Sequence, residues 1–468
     1  LKLFDVLDQR GDYDEAFVLK KIPDIKKSQI ANLKAHLYRQ LLTSLRLLGK
    51  NEDMALREML DHARLLYNKG LYRQSLDILS KAKTRALDGA YTGIALEALD
   101  FEKLIESQYI TRSLEGRAAE LSHETSALSR RIAATGAFSN LSLQMYGLYL
   151  KNGFARNAEE YDHVRTYFQF HLPKTPYTEL DFWGRVYHCQ SYVWMHHLCQ
   201  EFGPGYRYAR RWVELYEQQP KLKNQYAPLY LKALHNVLNI LFHSLDYPRI
   251  CFYLDKLEHL PGEIDVGQDN NTEGLYHLYR FLHRIDLHYL EGTFAEGVNI
   301  IPELVKCIET DRYRWDDHRI LVFYYRIACL YFGNQNYHGA VEYLNKIINQ
   351  KTPDYRADIQ CFARFLNLIA HFELGNMTLV EYQIKSVYRF LLHIEDLQQV
   401  QREILNFLRR TPGMQRQELN GEFKILHDKL VPLQYDPIER RPFLYLDIIS
   451  WLETKLEGRA IAEIIREK

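Results

Sequence analysis

The stretch RILVFYYRIACLYFGNQNYHGAVEYLNKIINQKTP, residues 319–353, determines how the rest of the chain is interpreted. Each half carries apolar residues at helical spacing. The two stripes consist of Tyr324, Ile327, Ala328 and Tyr331, followed by Tyr337, Ala340, Leu344 and Ile347. Small residues at Ala328 and Ala340 allow two helices to approach closely, while the bulky residues fill the groove between them. The stretch therefore predicts two helices joined by a tight turn. Such a hairpin cannot bury its apolar faces alone, so we expect copies stacked against it.

Weaker copies of this hairpin recur along the chain. In residues 59–83, MLDHARLLYNKGLYRQSLDILSKAK, small, turn, aromatic, bulky and small residues follow in order, at Ala63, Gly70, Tyr72, Leu79 and Ala82. Later turns are predicted at or near Gly153, Pro204, Leu245, Gly292, Gln335 and Gly375. The set resembles the tetratricopeptide repeat over roughly residues 56–394. The last units run to about 40 residues, longer than the roughly 34 of that repeat.

This resemblance implies an all-α fold, a solenoid of stacked antiparallel helix hairpins. We expect N-terminal helices over residues 1–55, the repeats over 56–394 and capping helices over 395–468. Residue Leu1 falls in what reads as the middle of a helix, so we expect further residues upstream. The amphipathic segment PFLYLDIISWLETKLEG, residues 442–458, is the natural cover for the last hairpin. An uncovered apolar face there would instead indicate a homo-oligomer formed through the terminal helices.

Composition argues against two classes of partner. Lys plus Arg and Asp plus Glu are both 60, so the formal charge is zero and a dedicated nucleic-acid or membrane-surface binder is not expected. No apolar run approaches the roughly 18–20 residues that a membrane-spanning helix needs. The six cysteines are scattered and form no CxxC pair, which indicates reduced, buried thiols in a cytoplasmic protein.

Catalytic and cofactor signatures are missing from the sequence. It contains no phosphate-binding loop, dinucleotide fingerprint, HExxH pair or nucleophile elbow, so we expect no enzyme activity, no cofactor and no metal. The densest set of possible metal ligands is His188, Cys189, His196, His197 and Cys199. On a helix no face collects three of them at one level, which favours packing over a zinc site. A second set, His277, His283 and His288, is likewise spread around a helix.

The segment YRYARRWVELY, residues 206–216, is the best candidate for nucleic-acid binding. Its arginines, Arg207, Arg210 and Arg211, could neutralise phosphate while Tyr206, Tyr208 and Trp212 stack on bases. The arginines and the rings fall on neighbouring helical stripes, which is also typical of a partly buried helix with a solvated edge. With zero net charge we favour the second interpretation and expect no nucleic-acid partner.

The tetratricopeptide resemblance implies a different site, the concave groove lined by the first helix of each unit. The groove positions are Arg57, Asp61 and Arg64 in the first clear unit, Lys232, His235, Asn236 and Asn239 in the unit before Leu245, then His283 and Asp286, and then Tyr325 and Arg326. Polar residues there could bind a peptide backbone or a terminal carboxylate. The Lys and Asn pairs that clamp a carboxylate from neighbouring units are not reproduced, and a solvated groove wall is the alternative.

These observations lead us to expect a non-catalytic scaffold that binds a protein or peptide partner in its groove. The alternative is a regulatory sensor whose solenoid binds a peptide or small ligand and relays the event to a separate effector domain. A less favoured hypothesis is an enzyme with a site in the groove or under the polar segment 261–274.

Overall fold

A computed structural model describes residues 2–8, 13–49, 51–108, 116–350, 356–393, 397–436, 439–444 and 447–468, except for the side chains of residues 152 and 393. Every regular element in these ranges is a helix, and they contain no strand. The all-α class predicted from the sequence is therefore confirmed for the described part of the chain. The end of the quoted stretch, residues 351–355, lies outside it.

The chain divides into two compact units, Leu1–Ile132 and Ala133–Lys468. The helices that begin in the first unit are α1 (Lys2–Asp8), α2 (Glu15–Lys21), α3 (Lys27–Leu48), α4 (Glu52–Asn68), α5 (Tyr72–Asp88), α6 (Thr92–Glu106) and α7 (Ala118–Asn152). The boundary between the units falls within α7.

Small residues form the centre of the first unit. Ala63, Ala82 and Ala95 are fully buried between α4, α5 and α6, so the three helices pack closely. Ser75, which is also buried here, donates a hydrogen bond from its Oγ to the Ala63 carbonyl at 2.7 Å, so its hydroxyl is not left without a partner. Two of these alanines, Ala63 and Ala82, occupy positions where the predicted repeat has a small residue.

In the second unit, helices follow one another as packed neighbours. They are α8 (Ala158–His171), α9 (Phe182–Leu198), α10 (Phe202–Glu217), α11 (Pro220–Gln225), α12 (Ala227–His243), α13 (Tyr247–Glu258), α14 (Asn270–Leu290), α15 (Phe294–Val298), α16 (Ile301–Glu309), α17 (Asp317–Gly333), α18 (Tyr337–Ile348), α19 (Ala357–Glu373), α20 (Met377–His393), α21 (Gln399–Arg410), α22 (Arg416–Leu430), α23 (Ile448–Glu457) and α24 (Ile461–Glu467). Contacts between α12, α14, α17 and α19 join the first helices of successive pairs. This packing is compatible with a helical repeat.

The same backbone turn joins the helices of five successive pairs. One residue at each turn has a positive φ: Gln200, Leu245, Gly292, Gln335 and Gly375. The following residue donates its N–H five positions back, as Asp246 does to Leu241 and Asn336 to Tyr331. This is the Schellman arrangement, which satisfies carbonyls left open at a helix end. The turn predicted near Pro204 was wrong, because the chain reverses at Gln200 and Pro204 lies inside α10.

The polar, turn-rich composition of segment 261–274 suggests a long loop, but the loop in the structure is shorter. A short 3-10 helix covers Leu260–Gly262, and α14 begins at Asn270. Asp269 caps that helix, its carboxylate accepting from the Thr272 N–H at 2.9 Å. The cluster of Asp and Asn residues therefore marks a helix start rather than a long loop.

The C-terminal part of the chain contacts the turn ends of earlier pairs within the second unit. Arg440 donates to the Gln200 carbonyl at 2.6 Å, and the Trp451 indole N–H donates to Glu373 at 2.6 Å. Trp451 is buried and its ring packs on Phe423, 5.6 Å between centroids. The apolar face predicted for this segment is thus covered at Trp451. Leu446, part of the same predicted face, lies outside the described residues.

Candidate functional site

The second unit contains a cavity of about 330 Å³. Much of its wall comes from α12, α14 and α17, the first helices of three consecutive pairs, and α7 and α9 add aromatic side chains. Arg356, which precedes α19, also faces it. A volume of this size lies within the range of pockets that hold small organic ligands.

Aromatic rings form a large part of the cavity wall. Trp194 stacks on Tyr149 with 5.4 Å between ring centroids and lies 4.7 Å from Tyr146. On another part of the wall, Tyr279 stacks on His235 at 4.3 Å with the rings within 7° of parallel. These contacts hold the rings in fixed orientations, so the apolar surface is formed before any ligand binds.

The cavity gathers most of the groove residues predicted for this unit. Six of them line it: Lys232, His235, Asn236, Asn239, Tyr325 and Arg326. The other two, His283 and Asp286, are buried and contact wall residues. Their convergence follows from helix geometry, because Lys232, His235, Asn236 and Asn239 share one face of α12.

The three groove positions predicted in the first unit have local partners instead. Arg57 Nε donates to Asp53 at 3.0 Å on the surface of α4. Asp61 lies 3.6 Å from the Arg46 guanidinium, with both side chains largely exposed. The Arg64 guanidinium lies 5.2 Å from the centre of the Phe101 ring. None of the three lines the cavity of the second unit.

A chain of polar contacts runs from the cavity wall into the core. His235 Nδ1 lies 2.9 Å from His283 Nε2, within hydrogen-bond distance. His283 Nδ1 lies 3.3 Å from the Asp286 carboxylate, whose other oxygen is 3.2 Å from Arg326 Nε. His283 and Asp286 are almost completely buried, so these contacts act where water screens little.

The cations of the wall have different partners. Arg319 lies 3.4 Å from Asp316, Arg356 lies 2.8 Å from Asp358, and the Arg326 guanidinium contacts Asp286. The Lys232 ammonium lies 5.3 Å from the centre of the Tyr146 ring. No carboxylate of the described residues is within 4.0 Å of this ammonium. Lys232 is therefore the one cation of the described wall without an acidic partner.

Burial changes the protonation of groups at the cavity. It lowers the pKa of Lys232, and the charge of Arg319 lowers it further. Burial also holds the pKa of His235 well below 6.5, and it lowers the pKa of His318 to about 4 with help from Arg356. Both imidazoles are neutral at pH 7. The Arg356 guanidinium accordingly donates to His318 Nε2 at 3.3 Å.

Sequence reasoning missed several residues of the wall. Arg319 lies one and two turns before Val322 and Arg326 on the same face of α17, so the helical period from Arg326 could have identified it. Tyr146 and Trp194 come from helices outside the set used for the groove positions. Arg356 follows a segment with no clear helical pattern, and we find no sequence signal for it.

The histidine and cysteine set on α9 is used in packing. The His188 ring lies 5.2 Å from Phe138 and 5.0 Å from Tyr177, while His196 Nδ1 contacts Glu201 at 2.6 Å. Cys189 is fully buried. Across the described residues, no three His, Cys, Asp or Glu side chains lie close enough together to hold one metal ion.

The rings of segment 206–216 are engaged inside the unit. Trp212 is fully buried, and Tyr208 stacks on Tyr192 with 4.3 Å between centroids. Arg210 bonds Glu214 at 2.7 Å, and Arg211 lies over the Tyr177 ring. Two of the three rings considered for base stacking, Tyr208 and Trp212, are thus occupied by packing within the unit.

The described wall of the cavity contains cations, neutral imidazoles, amides and rings, but no Asp, Glu, Ser, Thr or Cys. Such a set can bind and orient a ligand through charge, hydrogen bonds and ring stacking. None of the described helices combines the length and apolarity needed to cross a bilayer.

Comparison with models of protein families, with curated proteins and with solved structures found no match to this chain.

Proposed function

We propose that this chain is a non-catalytic binding protein whose second unit receives part of a partner in the cavity between α12, α14 and α17. The partner is a peptide or protein segment. The observation that carries the proposal is the meeting of six predicted groove residues on one cavity, together with aromatic rings and a lysine that has no acidic partner among the described residues. Rings already held in place reduce the entropy lost when a partner is ordered.

We also propose that the helix pairs form a solenoid similar to the tetratricopeptide repeat. The support is the turn with positive φ, which returns at positions 200, 245, 292, 335 and 375. The contacts between first helices of successive pairs agree with this arrangement. In such a solenoid the first helices line one surface, which is where the cavity lies.

A regulatory sensor is the second candidate function. It is favoured by the cavity volume of about 330 Å³, which suits a small organic ligand as well as a side chain or terminus of a peptide. In that case the ligand would change the affinity of this chain for an effector. The two functions share the cavity and differ in what occupies it.

A peptide selection with a matched variant tests the proposal. Random peptides displayed on phage would be selected on the full chain and then tested on Lys232→Met, which removes the charge and keeps an unbranched side chain. The control is Lys221→Met, at an exposed lysine of α11. We expect selected peptides to bind the control like the wild type and to lose about tenfold in affinity on Lys232→Met. Equal binding to all three proteins would refute partner binding in the cavity.

A further inference from the structure

The charges around the cavity are unbalanced at one position. The cations of its described wall are Lys232, Arg319, Arg326 and Arg356, and the wall has no carboxylate. Each arginine has an acidic partner within 3.4 Å, supplied by a residue outside the wall. Lys232 has no such partner among the described residues. One positive charge therefore faces the cavity unmatched.

An unmatched ammonium in a partly dehydrated site favours the binding of an anion. Burial has already removed part of the hydration of Lys232, so a ligand anion would find a cation that water solvates poorly. The carboxylates of Asp286, Asp316 and Asp358 are held by their own arginines and do not compete for it. The missing anion is thus expected from the ligand.

His235 adds a second requirement, because its contacts determine where its hydrogen lies. The Asp286 carboxylate lies 3.3 Å from His283 Nδ1 without hydrogen-bond geometry, and its negative charge favours a hydrogen on that nitrogen, so that Nε2 is the acceptor of the neutral ring. His235 Nδ1, 2.9 Å away, must then donate. A neutral imidazole carries one hydrogen, so the Nε2 atom of His235 is left as an acceptor.

The orientation of this acceptor is also fixed. The His235 ring is stacked on Tyr279, nearly parallel and 4.3 Å away, and it is tied to His283 at the opposite nitrogen. Lys232 and His235 are three positions apart on α12 and so share a face of the helix. The cation and the acceptor therefore stand side by side on one wall.

We propose that the cavity selects an organic acid with an apolar, preferably aromatic body and a hydrogen-bond donor: Lys232 binds the anionic group, and the Nε2 atom of His235 accepts the hydrogen of the donor. The rings of Tyr146, Tyr149 and Trp194 contact the apolar body. This inference rests on the proposed binding function and specifies the ligand class. The acid is either a free small molecule or the end of a peptide.

Titration calorimetry on the full chain tests the ligand class with simple probes. The probes are phenylacetate, its 2-, 3- and 4-hydroxy derivatives, 4-hydroxyphenylacetamide and 4-hydroxyphenethylamine. We expect at least one hydroxy acid to bind about tenfold more tightly than the neutral amide and the amine. The advantage of the acid over the amide should disappear in Lys232→Met and persist in the exposed-site control Lys221→Met.

The role of His235 is tested by a ratio of affinities. In His235→Phe, which keeps a ring to stack on Tyr279, the preference for the hydroxy acid over phenylacetate should fall to about one, because the acceptor is gone. Asp286→Asn gives a second readout, since an amide can donate to His283 Nδ1 and reverse the hydrogens along the chain. It too should abolish the preference for the hydroxyl. A preference that survives in both variants would exclude the proposed acceptor.

The two sources of the acid are separated by a peptide arm. The peptide acetyl-Gly-Gly-Tyr, with a free carboxylate or an amidated end, would be compared with the free acids. Tighter binding of the free-carboxylate peptide assigns the site to a chain terminus, and tighter binding of a free acid assigns it to a small molecule. Amide or amine probes that bind as well as the acids would overturn the ligand class alone. If no probe, charged or neutral, binds and the peptide selection also fails, the proposed function falls as well.

Discussion

The Nδ1 atom of His235 lies 2.9 Å from the Nε2 atom of His283, so two imidazoles 48 positions apart are in hydrogen-bond contact. They stand on α12 and α14, the first helices of neighbouring pairs. Because Tyr279 also stacks on His235, the contact fixes the rotation of the two helices relative to each other.

We expect this contact to contribute measurably to stability. His283→Leu leaves the His235 N–H buried without an acceptor, which should lower the free energy of unfolding by about 1–3 kcal/mol. In a double-mutant cycle with His235→Phe, the coupling energy should be about 1 kcal/mol. Urea unfolding of the wild type, both single variants and the double variant gives the four values. Additive effects would mean that the two rings do not interact.

The turn residues give a second prediction. Leu245 has φ +53 and is 71% exposed, so Leu245→Gly removes backbone strain and little buried surface. We expect the variant to be more stable by about 1 kcal/mol, as shown by a higher urea midpoint.

The reverse change at an equivalent turn is the control. Gly375 has φ +74, and an added Cβ would meet no atom within 4 Å. Gly375→Ala should therefore be destabilised by about 1 kcal/mol through the backbone alone. If both substitutions shift the midpoint in the same direction, turn strain is not what they measure.

The sequence was sufficient to predict four of these five turns, because each of the four follows an apolar helix with a clear period. Gly292 and Gly375 carry the usual glycine, while Leu245 and Gln335 were found from spacing. The turn at Gln200 was missed, since neither its residue type nor Pro204 marks it. Because this turn accepts Gln or Leu at the residue with positive φ, no single residue type identifies it in the sequence.

The candidate site was predictable only in part, because helical periodicity identifies one face of a helix but not the elements that pack against it. The residues on α12 share one helical face, so a position in the repeat was enough to select them. Which other helices face them depends on tertiary packing. Trp194 and Arg356 were therefore not predicted as part of the site. The sequence also does not show which of the groove positions face a cavity. Arg64 fitted the groove pattern as well as Lys232 did, yet only Lys232 faces the cavity.

Gly333 provides a third prediction, on packing. An added Cβ there would lie 2.3 Å from the Phe294 ring, so the ring rests directly on the glycine. Gly333→Ala should lower the free energy of unfolding by about 1–3 kcal/mol, because Phe294 is buried and cannot move aside freely. Thermal unfolding measures the loss.

Two further variants identify the cause. Phe294→Val in the Gly333→Ala background should cost less than the same change in the wild type, because it removes the clash. Gly136→Ala, inside α7 with no atom within 4 Å of the new Cβ, should instead stabilise by about 1 kcal/mol through helix propensity. Equal losses at Gly333 and Gly136 would exclude the clash with Phe294.

The fourth prediction concerns pH and His197. This side chain is 2% exposed, its ring lies 4.9 Å from both Tyr149 and Phe154, and its Nε2 atom has no hydrogen-bond partner in the described residues. Burial lowers its pKa to about 3, with a smaller effect of Arg356. Below pH 6.5 the unfolded chain binds a proton here that the folded chain does not, so stability is lost as pH falls.

The expected loss of stability on acidification follows from this difference in proton binding between the folded and unfolded chains. Between pH 7.5 and 5 His197 should contribute a loss of about 2 kcal/mol to the free energy of unfolding. His197→Phe keeps a ring between Tyr149 and Phe154, and that part of the loss should be absent in this variant. The free energy of unfolding of the variant relative to that of the wild type should therefore rise as the pH falls. His163→Phe, at an exposed position of α8, should follow the wild-type curve. Urea unfolding at several pH values provides the comparison, and parallel curves for His197→Phe and the wild type would mean that His197 is protonated in the folded protein.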